Sequence, residues 1–190
     1  VAEAHASAPD GARLMIGYNR RFAPLIVKAK ALLENSNEAK SLVYTVNAGH
    51  LLENHWTLSA DISGGRIIGE VCHFVDLACH LIGAEILSLH ALPARATAAG
   101  DDDGASATLR FADGSIGNVN YFSNGSKAYP KEQLQVYTGG KVLLLDNYRK
   151  LKAWGIPGFL TRRSFSQDKG QDACCESFVK SILDGGPPPI

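Results

Sequence analysis

The chain has no excess charge of either sign and no long apolar run. Nineteen basic residues balance nineteen acidic ones, so no net field would attract nucleic acid or an anionic membrane surface. No apolar run approaches the roughly 18 to 20 residues that cross a bilayer, and the N-terminal residues lack the basic and then apolar layout of a signal peptide. We therefore expect a soluble, cytoplasmic protein that binds neither nucleic acid nor membranes.

Cysteine is also scarce. The four cysteines are Cys72 and Cys79, one helical heptad apart, and the adjacent Cys174 and Cys175. This spacing makes a poor disulfide framework, and no CxxC pair indicates a zinc ribbon. We expect buried, free thiols.

The sequence does contain the pattern of one α+β domain. Its 190 residues, 45% of them hydrophobic, suit one main core. Apolar, β-branched and aromatic stretches predict strands at residues 13–18, 41–49, 85–97 and 148–154. Helical periodicity, Pro in a first turn and terminal glycines predict helices at residues 1–12, 24–34 and 171–184.

Two hairpins are predicted in the second half of the chain. The first turns at Asp113-Gly114, between the β-rich runs ATLRF and IGNVNYF, and the second turns at Gly139-Gly140. An Asp-Gly pair between two such runs is a strong short-range hairpin signal. The fold class is therefore predicted as α+β, with a mostly antiparallel sheet of five or more strands and helices packed on one face.

A further helix, predicted within residues 64–83 (GGRIIGEVCHFVDLACHLIG), mixes apolar with ionisable side chains. At 100° per residue, Glu70, His73, Asp76 and His80 fall within an arc of roughly 120°, and Gly83 suits a helix C-cap. These four side chains form a polar stripe along the helix. Three interpretations stay open. The stripe could be an internal network, or a metal site of His73, Asp76 and His80 that no second His or Cys cluster supports. It could also be an acid–base site in a cleft.

Several motifs resemble one known family. GYNRRFAP at residues 17–24, HW at 55–56, GGRIIGEVCHFVD at 64–76, the hairpin sheet and the closing GGPPPI together resemble the C-terminal part of the glucose-fructose oxidoreductase, inositol dehydrogenase and MocA family. The resemblance implies hydride transfer between NAD or NADP and a sugar-like or cyclitol small molecule.

The resemblance also implies roles for the helix. His73 matches the family's catalytic histidine, which takes the proton from the substrate hydroxyl. The acid usual four residues earlier is replaced by Gly69, and Glu70 is the neighbouring candidate, although it is turned about 100° around the helix. Asp76 matches too, with an orienting or structural role. We therefore assign His73, Glu70 and Asp76 as catalytic candidates.

Besides these three, the resemblance favours five residues as substrate-binding candidates: Asn19, Arg21, His55, Trp56 and Arg66. Arg20 and Arg21 could reach an anionic group or could form a surface ion pair. Trp56 could stack on a sugar ring or on the nicotinamide, or could be a plain core residue. Lys127 and Lys131 are expected in a solvated loop.

The family's cofactor motifs are missing from the 190 residues. Its members hold NAD(P) on an N-terminal Rossmann domain that opens with a GxGxxG turn, and neither that turn nor the family's Glu-Lys-Pro motif occurs here. The resemblance implies that residues 1–18 are the last helix and strand of a Rossmann unit, and that residues 19–190 form the α+β substrate and oligomerisation domain. No cofactor-binding residue is assigned, and a separate Rossmann-domain partner is expected because the chain alone would not be competent.

The predicted sheet has one face that needs cover, because exposed apolar strands aggregate. In this family such sheets pair face to face, so the resemblance favours a homodimer, or a higher oligomer, through residues 86–154. The alternative function is a binding or oligomerisation module that retains the fold without the chemistry.

Overall fold

An eight-stranded sheet organises the described part of the chain. The computed structural model describes residues 3, 7–8, 12–34, 36, 38–51, 55–58, 62, 65–94 and 104–190. The strands are β1 Ser41–Asn47, β2 Ile86–Ala94, β3 Gly104–Phe111, β4 Ile116–Phe122, β5 Glu132–Thr138, β6 Lys141–Asp146, β7 Lys150–Trp154 and β8 Thr161–Arg163. Their order across the sheet is β2-β3-β4-β1-β5-β6-β7-β8.

Both predicted hairpins are confirmed. β3 and β4 pair antiparallel on either side of Asp113-Gly114, and β5 and β6 pair antiparallel around Gly139-Gly140. Both of these last glycines have positive φ, 52° and 71°, as the favoured two-residue hairpin turn requires. The short strand β8 was not predicted.

One pairing has no local signal in the sequence. β1 lies between β4 and β5, parallel to β4 and antiparallel to β5. A parallel pair needs a crossover connection, and here the chain passes through a helix and two further strands before it returns as β4. The first and second halves of the chain are thereby joined at the centre of the sheet.

In the described part of the chain, three α-helices accompany the sheet: α1 Pro24–Leu33, α2 Cys72–Ile82 and α3 Gln171–Leu183. α1 begins with Pro at its first turn, and α2 ends at Gly83 with φ 81°, both as predicted. The buried face of α2 carries Phe74, Leu77 and Leu81, which belong to the same core as the inward side chains of β1. The predicted α+β class, with a mostly antiparallel sheet, is confirmed.

The strand predicted at residues 13–18 is not formed in this structure. These residues belong to no helix or strand, and Leu14 and Ile16 are largely exposed. An apolar segment of this length forms a strand only where another strand offers backbone hydrogen-bond partners. The edge strands of the described sheet are β2 and β8, and residues 13–18 pair with neither. Most of the helix predicted at residues 1–12 lies outside the described residues.

No helix in the described part of the chain has the length and apolar character that a membrane span requires.

Candidate active site

A π-helical turn precedes α2 and carries the first residue of the polar stripe. Residues Ile67–Val71 form this turn, with Glu70 inside it and His73 just beyond it. A π-turn contains one more residue than an α-helical turn, so the side chains before it are rotated around the axis relative to those of a regular helix. Such turns are frequent at functional sites. Glu70 therefore contacts different partners from His73 and Asp76, which the 100° spacing could not show.

His73 lies half-buried at the start of α2. The edge of the Tyr18 ring meets it, with ring centroids 5.4 Å apart, and its Nδ1 is buried without a hydrogen-bond partner among the described residues. Burial and then the Arg20 guanidinium lower the pKa of His73 below its ordinary 6.5, although Asp76, Glu132 and Glu70 act against this. The imidazole is therefore neutral at neutral pH and can accept a proton.

Arg21 and Asp76, both predicted as site residues, form an ion pair. Arg21 Nε donates to Asp76 Oδ2 at 2.7 Å, and Nη2 donates to Oδ1. Asp76 is buried, so its carboxylate requires such a partner. The fork-shaped contact ties α2 to the 3₁₀-helical turn Asn19–Phe22. The carboxylate is thereby engaged beside the imidazole rather than open to a metal.

A second carboxylate network, centred on Glu132, was missed by the sequence reasoning. Arg20 Nε and Nη2 donate to its two carboxylate oxygens at 2.9 and 3.0 Å, Lys169 Nζ donates at 2.7 Å, and the Tyr44 hydroxyl donates to it as well. Tyr148 Oη lies 3.0 Å from Tyr44 Oη.

The electrostatics of Glu132 follow from these partners. Burial alone would raise the pKa of Glu132, but the hydrogen bonds and charge of Arg20, joined by Lys169, outweigh burial and hold the pKa at about 2. Burial likewise raises the pKa of Tyr44 well above 10. No local pattern marks Glu132, since it follows PK in a stretch typical of a solvated loop.

Glu70 is shared between two cations. Its carboxylate lies 3.8 Å from Arg66 Nε and 3.6 Å from Lys131 Nζ. Arg66, predicted to bind substrate, is only 3% exposed and donates to Tyr121 Oη and to the Gly49 carbonyl, each at 3.0 Å. These contacts favour a role in holding the end of β1 and the π-turn together.

The remaining predicted residues contact other partners. Asn19 Nδ2 donates to the Lys169 carbonyl at 2.7 Å. Trp56 is 60% exposed and stacks on His55 with ring centroids 6.1 Å apart. In the described part of the chain, no hydrogen bond or ring contact joins His55 or Trp56 to His73, Arg21 or Asp76. Their assignment therefore stays a prediction.

His80 lies at the far end of α2, away from the π-turn. Burial and then the charge of Arg21 lower its pKa below 6.5, and Lys30 Nζ donates to its carbonyl at 2.8 Å. A cation at this position satisfies the last carbonyls of the helix. Among the described residues, no group of three His, Cys, Asp or Glu side chains could hold a metal ion.

An open pocket of about 440 Å³ adjoins these networks. It lies beyond the ends of β1 and β5, and its lining includes Asn47, Lys127, Lys131, Asn147, Gln167 and Lys169. Lys131 and Lys169 are the lysines that pair with Glu70 and Glu132, and both carboxylates act on His73. The pocket is thus linked to His73 through the pairs Lys131–Glu70 and Lys169–Glu132, although His73 is not part of its lining.

Comparison with known proteins identifies relatives of this chain. The model of the GFO/IDH/MocA C-terminal domain family matches residues 28–140, which is more than half of the chain. No match was found among curated proteins.

Three solved structures illustrate the likeness. A dehydrogenase from Clostridium difficile is 21% identical, with 94% of this chain and 56% of that one covered and a TM-score of 0.70. Levoglucosan dehydrogenase in complex with NADH and L-sorbose is 18% identical, with 92% and 58% covered and a TM-score of 0.72. An oxidoreductase from Thermotoga maritima is 18% identical, with 98% and 56% covered and a TM-score of 0.76.

These TM-scores establish a shared fold. The chain spans little more than half the length of each of these three structures.

Proposed function

We propose, from the premise that this chain belongs to the GFO/IDH/MocA C-terminal domain family, that it is the substrate-binding and catalytic part of an NAD(P)-dependent oxidoreductase acting on a sugar or cyclitol hydroxyl. The observation that carries the proposal is His73. Its imidazole is half-buried, has a lowered pKa and has an unpartnered Nδ1 among the described residues. The carboxylates of Glu70 and Glu132, which act on it, pair with two lysines that line an open pocket.

The proposed task of His73 is to take the proton of the substrate hydroxyl. A neutral imidazole is the form that can do so, and its pKa is set by opposing neighbours, with burial and Arg20 lowering it and Asp76 raising it. Asp76, held by Arg21, would steady the imidazolium that forms when the proton is transferred. Glu70 pairs with Lys131 and would position that lysine at the pocket. It would not replace the acid that is missing at Gly69.

The residues present do not fit the dinucleotide itself. The sequence contains no GxGxxG turn, so the backbone amides that normally hold the pyrophosphate at a helix N-terminus are not supplied by these residues. We assign the dinucleotide to a Rossmann domain outside these 190 residues, whether on the same polypeptide or on a partner. The relatives in complex with NADH support an NAD(P) cofactor for the assembled enzyme.

The proposal is tested by NMR on the chain with labelled histidine. Titration with glucose, myo-inositol and related polyols should move the His73 imidazole resonances, because the bound hydroxyl would lie against that ring. His90 is exposed on β2 and provides the internal control, since its resonances should stay in place. If no polyol moves the His73 signals of the folded chain, the proposal fails.

Activity gives a second test once the Rossmann domain is supplied. His73→Gln should lower kcat by about 10²- to 10⁴-fold, the usual contribution of a positioned acid or base, followed by the absorbance of NAD(P)H. His80→Gln, on the same helix but at its far end, should leave kcat within a few-fold. Equal losses in both variants would contradict a specific role for His73.

A second candidate function, oligomerisation without chemistry, is favoured by Gly69 and by the sheet. Gly69 stands where the family usually has an acid, and the sheet face turned away from the core exposes large apolar side chains, among them Leu92, Ile116 and Trp154. We propose that a second copy covers this face as a homodimer through residues 86–154. Light scattering should give twice the monomer mass, and a monomeric mass at high concentration would exclude the dimer.

A further inference from the structure

The pocket beyond the ends of β1 and β5 has several cations and amides in its lining. Lys127, Lys131 and Lys169 contribute the charge. In the part of the chain that the structure describes, no carboxylate joins this lining. Its volume of about 440 Å³ lies in the range of small-molecule sites, where a few convergent polar groups set specificity.

The nearby carboxylates of Glu132 and Glu70 do not neutralise the charge of these lysines, because each carboxylate also pairs with a buried arginine. Glu132 accepts two hydrogen bonds from Arg20 before it meets Lys169. Glu70 lies between Arg66 and Lys131.

Among the described residues, Arg20 and the three pocket lysines therefore face two carboxylates, Glu70 and Glu132. The excess positive charge faces the pocket, where Lys127 and Lys131 are the more exposed members.

The segment that carries Lys127 and Lys131 is fastened to the end of β1. Asn47 Nδ2 donates to the Ser126 carbonyl at 2.7 Å, and the Asn47 backbone N–H donates to the Lys131 carbonyl at 2.7 Å. The stem of Lys127 lies over Gly49, where a Cβ atom would come within 2.8 Å of Lys127 Cγ. These contacts set the two lysines in place before any ligand binds, which lowers the entropic cost of binding.

Building on the proposed function, we propose that this pocket is the subsite for an anionic group of the substrate. The substrate class is then a sugar or cyclitol that carries a carboxylate or a phosphate. The lysines bind the anionic group as point charges, while the amides of Asn47, Asn147 and Gln167 suit the hydroxyls. A neutral polyol would leave the excess cations without a counter-charge.

The test compares matched ligands on the folded chain by calorimetry and by the His73 resonances. Glucose is paired with glucuronate and with glucose 6-phosphate, and myo-inositol with inositol 1-phosphate. We expect at least one anionic ligand to bind about tenfold tighter than its neutral partner, to weaken with added salt, and still to move His73. The better of the carboxylate and phosphate ligands then identifies the anionic group.

Variants assign the effect to the two lysines. The double variant Lys127→Gln/Lys131→Gln should weaken the anionic ligand by about five- to twentyfold, at the scale of exposed charge pairs, and leave the neutral ligand unchanged. Lys180→Gln, exposed on α3, is the control and should change neither. Circular dichroism would verify that each variant is folded.

The outcomes separate this inference from the proposed function. If neutral and anionic ligands bind equally and both move His73, the anionic subsite is refuted while the proposed function stands. If anionic ligands bind tighter through the lysines but leave the His73 resonances unchanged, the proposed function fails. The inference depends on that function, so the pocket would then not be a substrate subsite. If no ligand binds, both are overturned.

Discussion

Replacing Glu132 with glutamine should cost about 3 to 5 kcal/mol of unfolding free energy, the usual effect of breaking a buried ion pair on one side. Glu132 is 1% exposed and accepts hydrogen bonds from Arg20, Lys169 and Tyr44. The amide keeps the volume of the side chain but removes its charge. Arg20, itself buried, would then retain a cation without its main counter-charge.

The pKa of Glu132 gives an independent estimate of the same quantity. The folded protein holds this pKa at about 2, against an ordinary value of 4.5, and that difference corresponds to about 3 kcal/mol. Because the folded pKa is the lower one, the stabilisation is fully present above pH 4.5. It is lost as the pH falls from there towards about 2, where the carboxyl becomes protonated in the folded state as well.

The assay is urea unfolding of the wild-type chain and of Glu132→Gln between pH 2 and pH 7, followed by circular dichroism. The gap between the two proteins should be largest near neutral pH and should close below pH 4.5. Glu176→Gln, on the exposed side of α3, should differ from wild type by less than about 0.5 kcal/mol. A gap below about 1 kcal/mol at neutral pH, or one that does not depend on pH, would refute the reasoning.

Three further predictions concern α2 and the cofactor. The His73 imidazole should titrate below pH 6.5, and Asp76→Asn should lower its pKa further because Asp76 raises it; an unchanged pKa in that variant, by NMR, would contradict this. Gly83→Ala should cost about 1 kcal/mol in thermal unfolding, since φ is 81° there and a side chain disfavours that conformation, whereas a neutral result would mean that the helix end relaxes. Calorimetry with NADH and NADPH should show no binding tighter than millimolar, and micromolar affinity would refute the assignment of the dinucleotide to another domain.

The parts of the fold that the sequence predicted are those with a local physical cause. Asp113-Gly114 and Gly139-Gly140 have backbones that suit tight turns, so both hairpins could be placed from neighbouring residues. Gly83 could be recognised as a helix end for the same reason. Residues 13–18 show the limit, because their apolar pattern indicates a strand but provides no partner for it.

The turn between β6 and β7 shows how packing overrides local preference. Asn147 and Tyr148 adopt positive φ values of 48° and 57°, and the Arg149 N–H donates to the Asp146 carbonyl, which makes a two-residue turn without glycine. Positive φ is costly for a tyrosine. The ring of Tyr148 is fully buried beside Tyr44, and this packing holds the conformation.

The candidate site divides in the same way. The spacing of His73 and Asp76 along one helix could be recognised from the sequence, and so could the resemblance that gives His73 its proposed role. Glu132 could not be recognised, because its partner Arg20 lies 112 positions away in the sequence. An ion pair between such distant residues produces no pattern in the sequence around either of them.

The sequence by itself determined the helix that carries His73, the hairpins and the family, because periodicity, turn residues and motifs act over short distances along the chain. Only the tertiary structure decided that β1 lies beside β4, that Arg20 and Arg21 take separate carboxylates, and that three lysines surround one pocket. Each of these depends on which distant residues share a small volume, and that is settled by the packing of the whole domain rather than by any local pattern.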